Sequence, residues 1–363
     1  MKKLFVNNID RAEWSWLVAS SATGTWFQTP EAYDFFSSMP ELFRPFVMAI
    51  SKETPLSEAQ HSINPPLQTL RAVCVGYVTI EKSPLKQFFT RRAIIIGGPA
   101  LADDCSDEEV EALMAAVKKI PSLQGRDGER LPSPIYIETR NFNDYSRWKG
   151  AFEKAGFTYQ PHLNFHVDCT DAVANWERLS DNRKRQIKKQ SIQNFSNDKV
   201  LSSVNEQEVR EWYAVLAELY RTKVKTPLWP MEFFIEAYRQ GIGRFLLIKY
   251  EGKVIGGSMV VADRKAVYEW FECGLNSAYK EQYPSVAATF AGIQFAFELG
   301  CKRYDMMGAG EPGVPYGVRD FKAEFGGKMV EHGRFIYVLK PLLYKIGKMA
   351  VRIMKNLDVK PKL

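Results

Sequence analysis

The chain has 363 residues, 45% apolar and 25% charged, which is the make-up of a globular protein with room for two domains and a core that needs no staples. No apolar run reaches the roughly 18 residues that would indicate a membrane span, and the opening MKKLFVNNIDRAEW lacks the apolar centre of a signal peptide. Five cysteines (Cys74, Cys105, Cys169, Cys273, Cys301) are odd in number and show no metal-ligand spacing, so buried thiols in a reducing compartment are expected, not a disulfide framework. These features together point to the cytoplasm.

The net charge of +7 is unevenly spread. Lys340, Lys345, Lys348, Arg352, Lys355, Lys360 and Lys362 crowd the tail against a single Asp358, and Arg183, Lys184, Arg185, Lys188 and Lys189 form a second cluster. Such clusters suit nucleic acid, anionic lipid or acidic substrates, and equally a solvated helix face.

In chain order, Ile9–Ala19 reads as a helix. Thr29 and Pro30 read as the N-cap and first turn of the next helix, Glu31–Met39. Arg44–Ser51, Arg71–Glu81 and Arg91–Gly97 are rich in Val, Ile and Phe and read as strands. Lys52–Leu70 and Gln124–Pro134 read as polar loops. Ser106–Ile120 is a helix with Ser106 as cap and Asp107, Glu108 and Glu109 in its first turn. Strand Ile135–Glu138, helix Tyr145–Ala155 and strand Phe157–Asp168 follow. Val173–Asn194 reads as a basic helix. The order then recurs: helices Glu206–Tyr220 and Pro230–Gln240, strands Phe245–Tyr250, Lys253–Ala262 and Ala266–Cys273, helix Val286–Leu299, strand Arg303–Met307. Both halves thus run helix pair, three-strand meander, helix, strand. The expected division is 1–170, 171–340 with the linking helix at 173–194, and a basic amphipathic helix at 341–363.

The stretch Lys302–Lys340 is the most distinctive. A strand breaks into Gly308, Gly310, Gly313 and Gly317 with Pro312 and Pro315 between them, the mark of a long loop with unusual backbone angles. Val318–Phe325 fits a short helix, Gly326-Gly327 its C-cap, and Met329–Leu339 a strand.

The run Asp320-Phe321-Lys322-Ala323-Glu324-Phe325-Gly326-Gly327, followed by a strand and Lys340–Lys345, resembles the C-terminal signature of the Fem family, the aminoacyl transferases that build peptidoglycan cross-bridges. Thr25–Pro30, Ile94–Asp104, Asn182–Lys189 and Tyr268–Tyr283 resemble other family segments in family order, so the likeness spans roughly residues 25–345. It implies an α/β (α+β) fold of two tandem GNAT-like domains, each a mixed twisted sheet flanked by helices. The long coiled-coil arm of some family members has no counterpart in the sequence. Nor does the lysine that follows the early FQ motif.

The resemblance implies an N-acyltransferase that moves an aminoacyl group from aminoacyl-tRNA to an amine of a cell-envelope precursor. Acyl-CoA-dependent N-acetylation of an amino sugar, with acetyl-CoA as donor, is the alternative, and a membrane-associated RNA-binding protein a third class. The Arg/Gln-x-x-Gly-x-Gly/Ala run of acetyl-CoA-binding GNAT enzymes is not evident, no phosphate loop occurs, and no metal or other cofactor is expected. An ester or thioester donor is already activated, so positioning and electrostatics suffice without an enzyme nucleophile. By resemblance, Lys322 stabilises developing negative charge or a donor phosphate, with Phe321 packed beside it. As a lysine on a short helix, Lys322 is expected to be exposed and its loss to leave folding intact. Asp103, Asp104, Tyr268 and Tyr283 are the substrate-contact candidates. Arg183, Lys184, Arg185, Lys188 and Lys189 are the candidates for an RNA backbone. The tail residues Leu342, Leu343, Ile346, Met349, Ile353, Met354 and Leu357 recur at helical spacing between cations, which fits docking on an anionic membrane at its inner face or packing on the first domain.

Overall fold

The computed structural model describes residues 2–5, 8–52, 70–81, 83–123, 125, 128–192, 204–224 and 226–358. Most of the Lys52–Leu70 loop, the end of the 173–194 helix and the last five residues of the tail lie outside the described residues. The chain forms two compact units, residues 1–161 with 332–363, and residues 162–331.

The first unit opens with β1 (Lys2–Phe5), α1 (Arg11–Ser20) and α2 (Pro30–Ser37). Thr29 caps α2, its side chain accepting from Ala32 N at 3.2 Å, and Pro30 takes the first helical position, where a missing N–H costs nothing. Then come β2 (Phe43–Ser51), β3 (Leu70–Thr79), α3 (Pro84–Thr90), β4 (Ala93–Gly97), β5 (Ala100–Leu101) and α4 (Asp107–Val117). α4 carries a full capping box between Ser106 and Glu109. β6 (Tyr136–Asn141), α5 (Lys149–Lys154) and β7 (Thr158–Gln160) follow.

The second unit holds β8 (Leu163–Asp168), α6 (Ala172–Arg178), α7 (Asp181–Ile192), α8 (Glu206–Leu219), α9 (Met231–Arg239), β9 (Arg244–Tyr250), β10 (Lys253–Ala262), β11 (Ala266–Gly274), α10 (Pro284–Glu298), β12 (Arg303–Gly308), α11 (Gly317–Ala323) and β13 (Lys328–Glu331). The chain then returns to the first unit as β14 (Arg334–Val338) and α12 (Pro341–Asp358). The first sheet has the order β1-β2-β3-β4-β6-β14-β7, with β5 on β3, and the second β13-β8-β12-β11-β10-β9. Each sheet is mixed: β4–β6 and β11–β12 are parallel pairs among antiparallel neighbours. Each has its own apolar core.

The expected division at 170/171 and 340/341 is corrected by strand pairing. The run Phe157–Asp168 is two strands: Pro161 lacks the N–H a ladder needs, and β7 pairs with β14 in the first sheet while β8 pairs with β12 and β13 in the second. Met329–Leu339 splits in the same way. Gly333 sits between the halves at φ +63, and a Cβ there would meet the Tyr159 ring at 2.3 Å. The 173–194 helix is also two, α6 and α7, broken at Leu179-Ser180.

Candidate active site in the second unit

The parallel pair β11–β12 is joined only over Ala266–Tyr268 and Arg303–Asp305, although both strands run on. Where they part, β11 carries a bulge. Met259 of β10 faces Phe271 and Val260 faces Glu269, which leaves Trp270 as the extra residue. Period-2 alternation would put Glu269 and Glu272 on opposite faces. The bulge brings both to the face covered by α10, and sends Trp270 and Phe271 together against Phe233 and Phe234 of α9.

Glu269 is held at one oxygen. Its Oε1 accepts from Thr289 of α10 at 3.0 Å and from the Tyr304 hydroxyl of β12 at 2.8 Å. Gly292 leaves room for that hydroxyl, since a Cβ there would lie 2.2 Å from it. Glu272 is different: its Oε1 is buried and has no hydrogen-bond partner among the described residues. The same holds for the hydroxyl of Ser258, the residue paired with Glu272 across the strands. Burial, with the charge of Glu269 adding to it, pushes the Glu272 carboxyl up to about 8, against the pull of Ser285 and Lys322. Burial also raises Glu269, while Lys322, Tyr304 and Thr289 hold it back.

Lys322 lies within this group, and the expectation of an exposed lysine is overturned: it is 8% exposed. α11 aims its side chain at the end of β12, where the ammonium donates to the carbonyls of Met306, Met307 (3.0 Å) and Gly308 (3.0 Å). Those three acceptors match its three N–H donors. They converge because Met307 adopts φ +55 and the β12–β8 register shifts between Asp305 and Gly308. The shape is fixed by Asp305, wholly buried, whose Oδ1 accepts from Asn164 Nδ2 (2.8 Å) and Met307 N (2.9 Å) and whose Oδ2 lies 3.1 Å from His166 Nε2. Burial lowers the Lys322 ammonium, opposed by Glu269, Asp305 and Glu272. Burial would raise Asp305, but His166, Arg303 and Asn164 outweigh it and hold it below the usual carboxylate range. The glycine-rich loop after β12 is held by Arg319, which donates to the carbonyls of Ala309 (3.0 Å), Val314 (3.0 Å) and Glu311.

The other sequence candidates fall elsewhere. The Phe321 ring lies under the Arg183 guanidinium at 4.5 Å, with Phe325 at 4.9 Å from the same group. Arg183 is therefore removed from the RNA-contact set: it is 5% exposed, bonded to Gln186 and Phe321 O and 3.6 Å from Glu324, and it ties α7 to α11. Lys184 bonds Glu177 O, and Lys189 pairs with Glu281. Arg185 and Lys188 are exposed on α7. Tyr268 is corrected too: it is wholly buried and its hydroxyl bonds Asp263, which makes it a strand-core residue. Tyr283 stands at φ +44 at the N-terminus of α10, with Lys189 Nζ 5.9 Å from its ring centre. Asp103 and Asp104 belong to the first unit. Asp103 accepts from Ala22 N at 3.0 Å, and Asp104 pairs with Arg71 at 2.8 Å. Among the described residues no group of three or more His, Cys, Asp or Glu is arranged to hold a metal, and no helix is long and apolar enough to cross a membrane.

Sequence reasoning missed Glu269, Glu272 and Asp305. The available signal was two carboxylates, Glu-Trp-Phe-Glu, inside an otherwise apolar strand, where charge is costly to bury.

Two sheets, each with its parallel pair and flanking helices, make this a tandem GNAT fold. FemX shares it with a TM-score of 0.66 at 11% identity, over 95% of this chain and 99% of that one. The C-terminal domain of a candidate lysylphosphatidylglycerol synthetase from Agrobacterium fabrum follows at 0.50 and 11% identity, over 77% and 85%. Residues 246–352 match the model of the FemAB family, and the matched span contains Glu269, Glu272 and Lys322. No curated protein sequence matches the chain significantly.

Proposed function

We propose that the chain is an N-acyltransferase that moves an aminoacyl group from aminoacyl-tRNA to an amine of a cell-envelope precursor of the peptidoglycan class. The observation that carries this reading is the half-satisfied carboxylate pair, Glu269 and Glu272, beside a buried lysine where β11 and β12 part. Aminolysis of an ester needs a group that takes a proton from nitrogen near neutral pH, and a carboxylate raised to about 8 suits that task. The neutral amine attacks the ester carbonyl carbon, so a C–N bond forms and the C–O bond to the ribose breaks. Glu272 accepts the proton that nitrogen loses and returns it to the departing ribose oxygen. Lys322 contributes positive charge near the developing oxyanion and holds the end of β12 in shape. Glu269, fixed by Thr289 and Tyr304, keeps Glu272 basic through like-charge repulsion.

Support for a tRNA donor comes from the N-terminus of α10. Coenzyme pyrophosphates are commonly held there by free backbone N–H groups. Here Pro284 has none, Ser285 N bonds Asn276 Oδ1 at 3.2 Å, Asn276 Nδ2 bonds Ser285 Oγ at 2.7 Å, and Ala287 N bonds Tyr283 O at 3.0 Å. The exposed Arg185 and Lys188 fit phosphate contacts. An anionic membrane surface met by the C-terminal helix, at the inner face of the membrane, completes the partner set.

The test is transfer of labelled amino acid from charged tRNA to precursor amines. RNase-sensitive turnover is expected, as is salt-dependent tRNA binding whose slope falls by about one for each of Arg185→Gln and Lys188→Gln. Saturable acetyl-CoA binding in calorimetry, with RNase-resistant acetyl transfer, would replace this reading with the CoA-dependent one.

A further inference from the structure

The first unit carries an apolar surface with a cationic cavity at its edge. On α12, Leu342, Ile346 and Met349 are 78%, 47% and 60% exposed, and their i, i+4, i+7 spacing places them on one face. α3 lies beside α12 and exposes two aromatics, Phe88 at 56% and Phe89 at 42%, their rings edge to face at 5.0 Å. Large side chains on a surface usually come singly; five on two adjacent helices mark a contact surface. Between α3 and the start of α12 lies a cavity of about 110 Å³ lined by Gln87, Phe88, Arg91, Ser133, Ile135 and Lys340. It holds one guanidinium and one ammonium, and no carboxylate is among its lining residues. Burial lowers the Arg91 pKa, and the guanidinium donates to a neutral acceptor, the Gln87 amide oxygen, at 2.7 Å, with the amide turned so that both its ends are satisfied. Lys340 Nζ donates to Ser133 O, at 3.5 Å. Lys345 and Lys348 are exposed on α12, and the sequence adds Arg352 and Lys355 on its later turns.

We propose that α3 and α12 form one interfacial docking surface for an anionic phospholipid bilayer, with Phe88, Phe89, Leu342, Ile346 and Met349 entering the acyl boundary and a lipid phosphate seated between Arg91 and Lys340. Apolar residues ringed by cations have the chemistry of such an interface, which draws binding both from buried apolar area and from attraction to anionic headgroups. A protein partner would require acidic groups to meet these cations around a small apolar centre; a bilayer offers both over any area. The surface extends the membrane contact in the reading above, but its test needs no catalytic activity, so either can fail alone.

The test is flotation of the full chain with vesicles of phosphatidylcholine alone and with phosphatidylglycerol at about a third of the lipid. Wild type binds the anionic vesicles, and salt weakens binding. Leu342→Ser/Ile346→Ser/Met349→Ser, at exposed positions that spare folding, loses binding to both compositions. Arg91→Gln/Lys340→Gln loses roughly tenfold or more on anionic vesicles only. Absence of wild-type binding to anionic vesicles would overturn the proposal. So would a wild-type dimer that the triple serine variant turns into a monomer, because a second copy would then cover the face.

Discussion

The two units build the same parallel strand pair and finish it differently. In the first, β4 and β6 pair over five positions, from Ala93 with Ile137 to Gly97 with Asn141. On the other side of β4, Gln28 bridges to β3: its Nε2 donates to Val75 O (3.0 Å) and Ile96 O (2.8 Å), and its Oε1 accepts from Val75 N (2.8 Å). Buried carboxylates there meet guanidinium groups, Glu109 with Arg71 at 3.1 Å and Glu138 with Arg140 and Arg334. In the second unit the pair closes over three positions, and two carboxylates feel the charge of one buried ammonium that is itself bonded to backbone carbonyls. A buried oxygen without a partner costs about 1–3 kcal/mol. Among the described residues the first unit also leaves buried atoms such as Thr25 Oγ1, Asn141 Oδ1 and Arg140 Nε without partners, but its buried carboxylates are each met by a guanidinium, and an open carboxylate oxygen is what sets the second unit apart.

The comparison can be broken at several points. The largest effect is expected from Glu272→Gln, which removes the proton acceptor and keeps the shape; transfer should fall roughly a hundredfold to ten-thousandfold in a single-turnover measurement. An unchanged rate would assign the open pair to packing. Lys322→Met should lower turnover by roughly tenfold to a thousandfold. Unlike a surface lysine it should also destabilise the second unit by about 2–4 kcal/mol in urea unfolding, because three carbonyls lose their donor. Gln28→Leu should act on the first unit alone, costing about 1–3 kcal/mol and leaving transfer by the folded protein unaltered.

The smallest effect is in pH dependence, and its sign differs between units. Burial would raise Glu138, but Arg140, Arg334 and Arg92 outweigh it and bring the carboxyl down to about 2. Its stabilisation is present above the unfolded value of 4.5 and is lost as pH falls towards 2. Glu272 is raised, so its contribution is full below 4.5 and is lost as pH rises through about 8. Hydrogen exchange, corrected for its intrinsic pH dependence, should show β6 losing protection in acid and β11 losing it towards pH 8. Slopes of the same sign in both would contradict the contrast.

How much of this was legible in sequence depended on how local the cause is. Thr29-Pro30 and Ser106 with Glu109 announce their helix starts because caps are set within four residues. The tail helix and the glycine-rich loop were legible for the same reason. Phe157–Asp168 and Met329–Leu339 read as single strands because both halves of each carry strand-forming residues; Pro161 and Gly333 mark the breaks, but nothing local says that the halves pair in different sheets. The place of Lys322 was visible through its motif, but its burial was not, since that depends on three carbonyls fourteen to sixteen residues away. The carboxylate pair was hidden most completely. Alternation sets Glu269 and Glu272 on opposite faces, and only the register with β10 creates the bulge that joins them.

The most direct test of the account is the pH dependence of single-turnover aminoacyl transfer in wild type and Glu272→Gln. A wild-type rate is expected that rises with pH through a half-maximum near 8, as Glu272 loses its proton, and levels off above it, with a slow residual rate in the variant that lacks that step. The same step at full amplitude in Glu272→Gln would show that another group takes the proton, and would remove the open strand pair of the second unit from the chemistry.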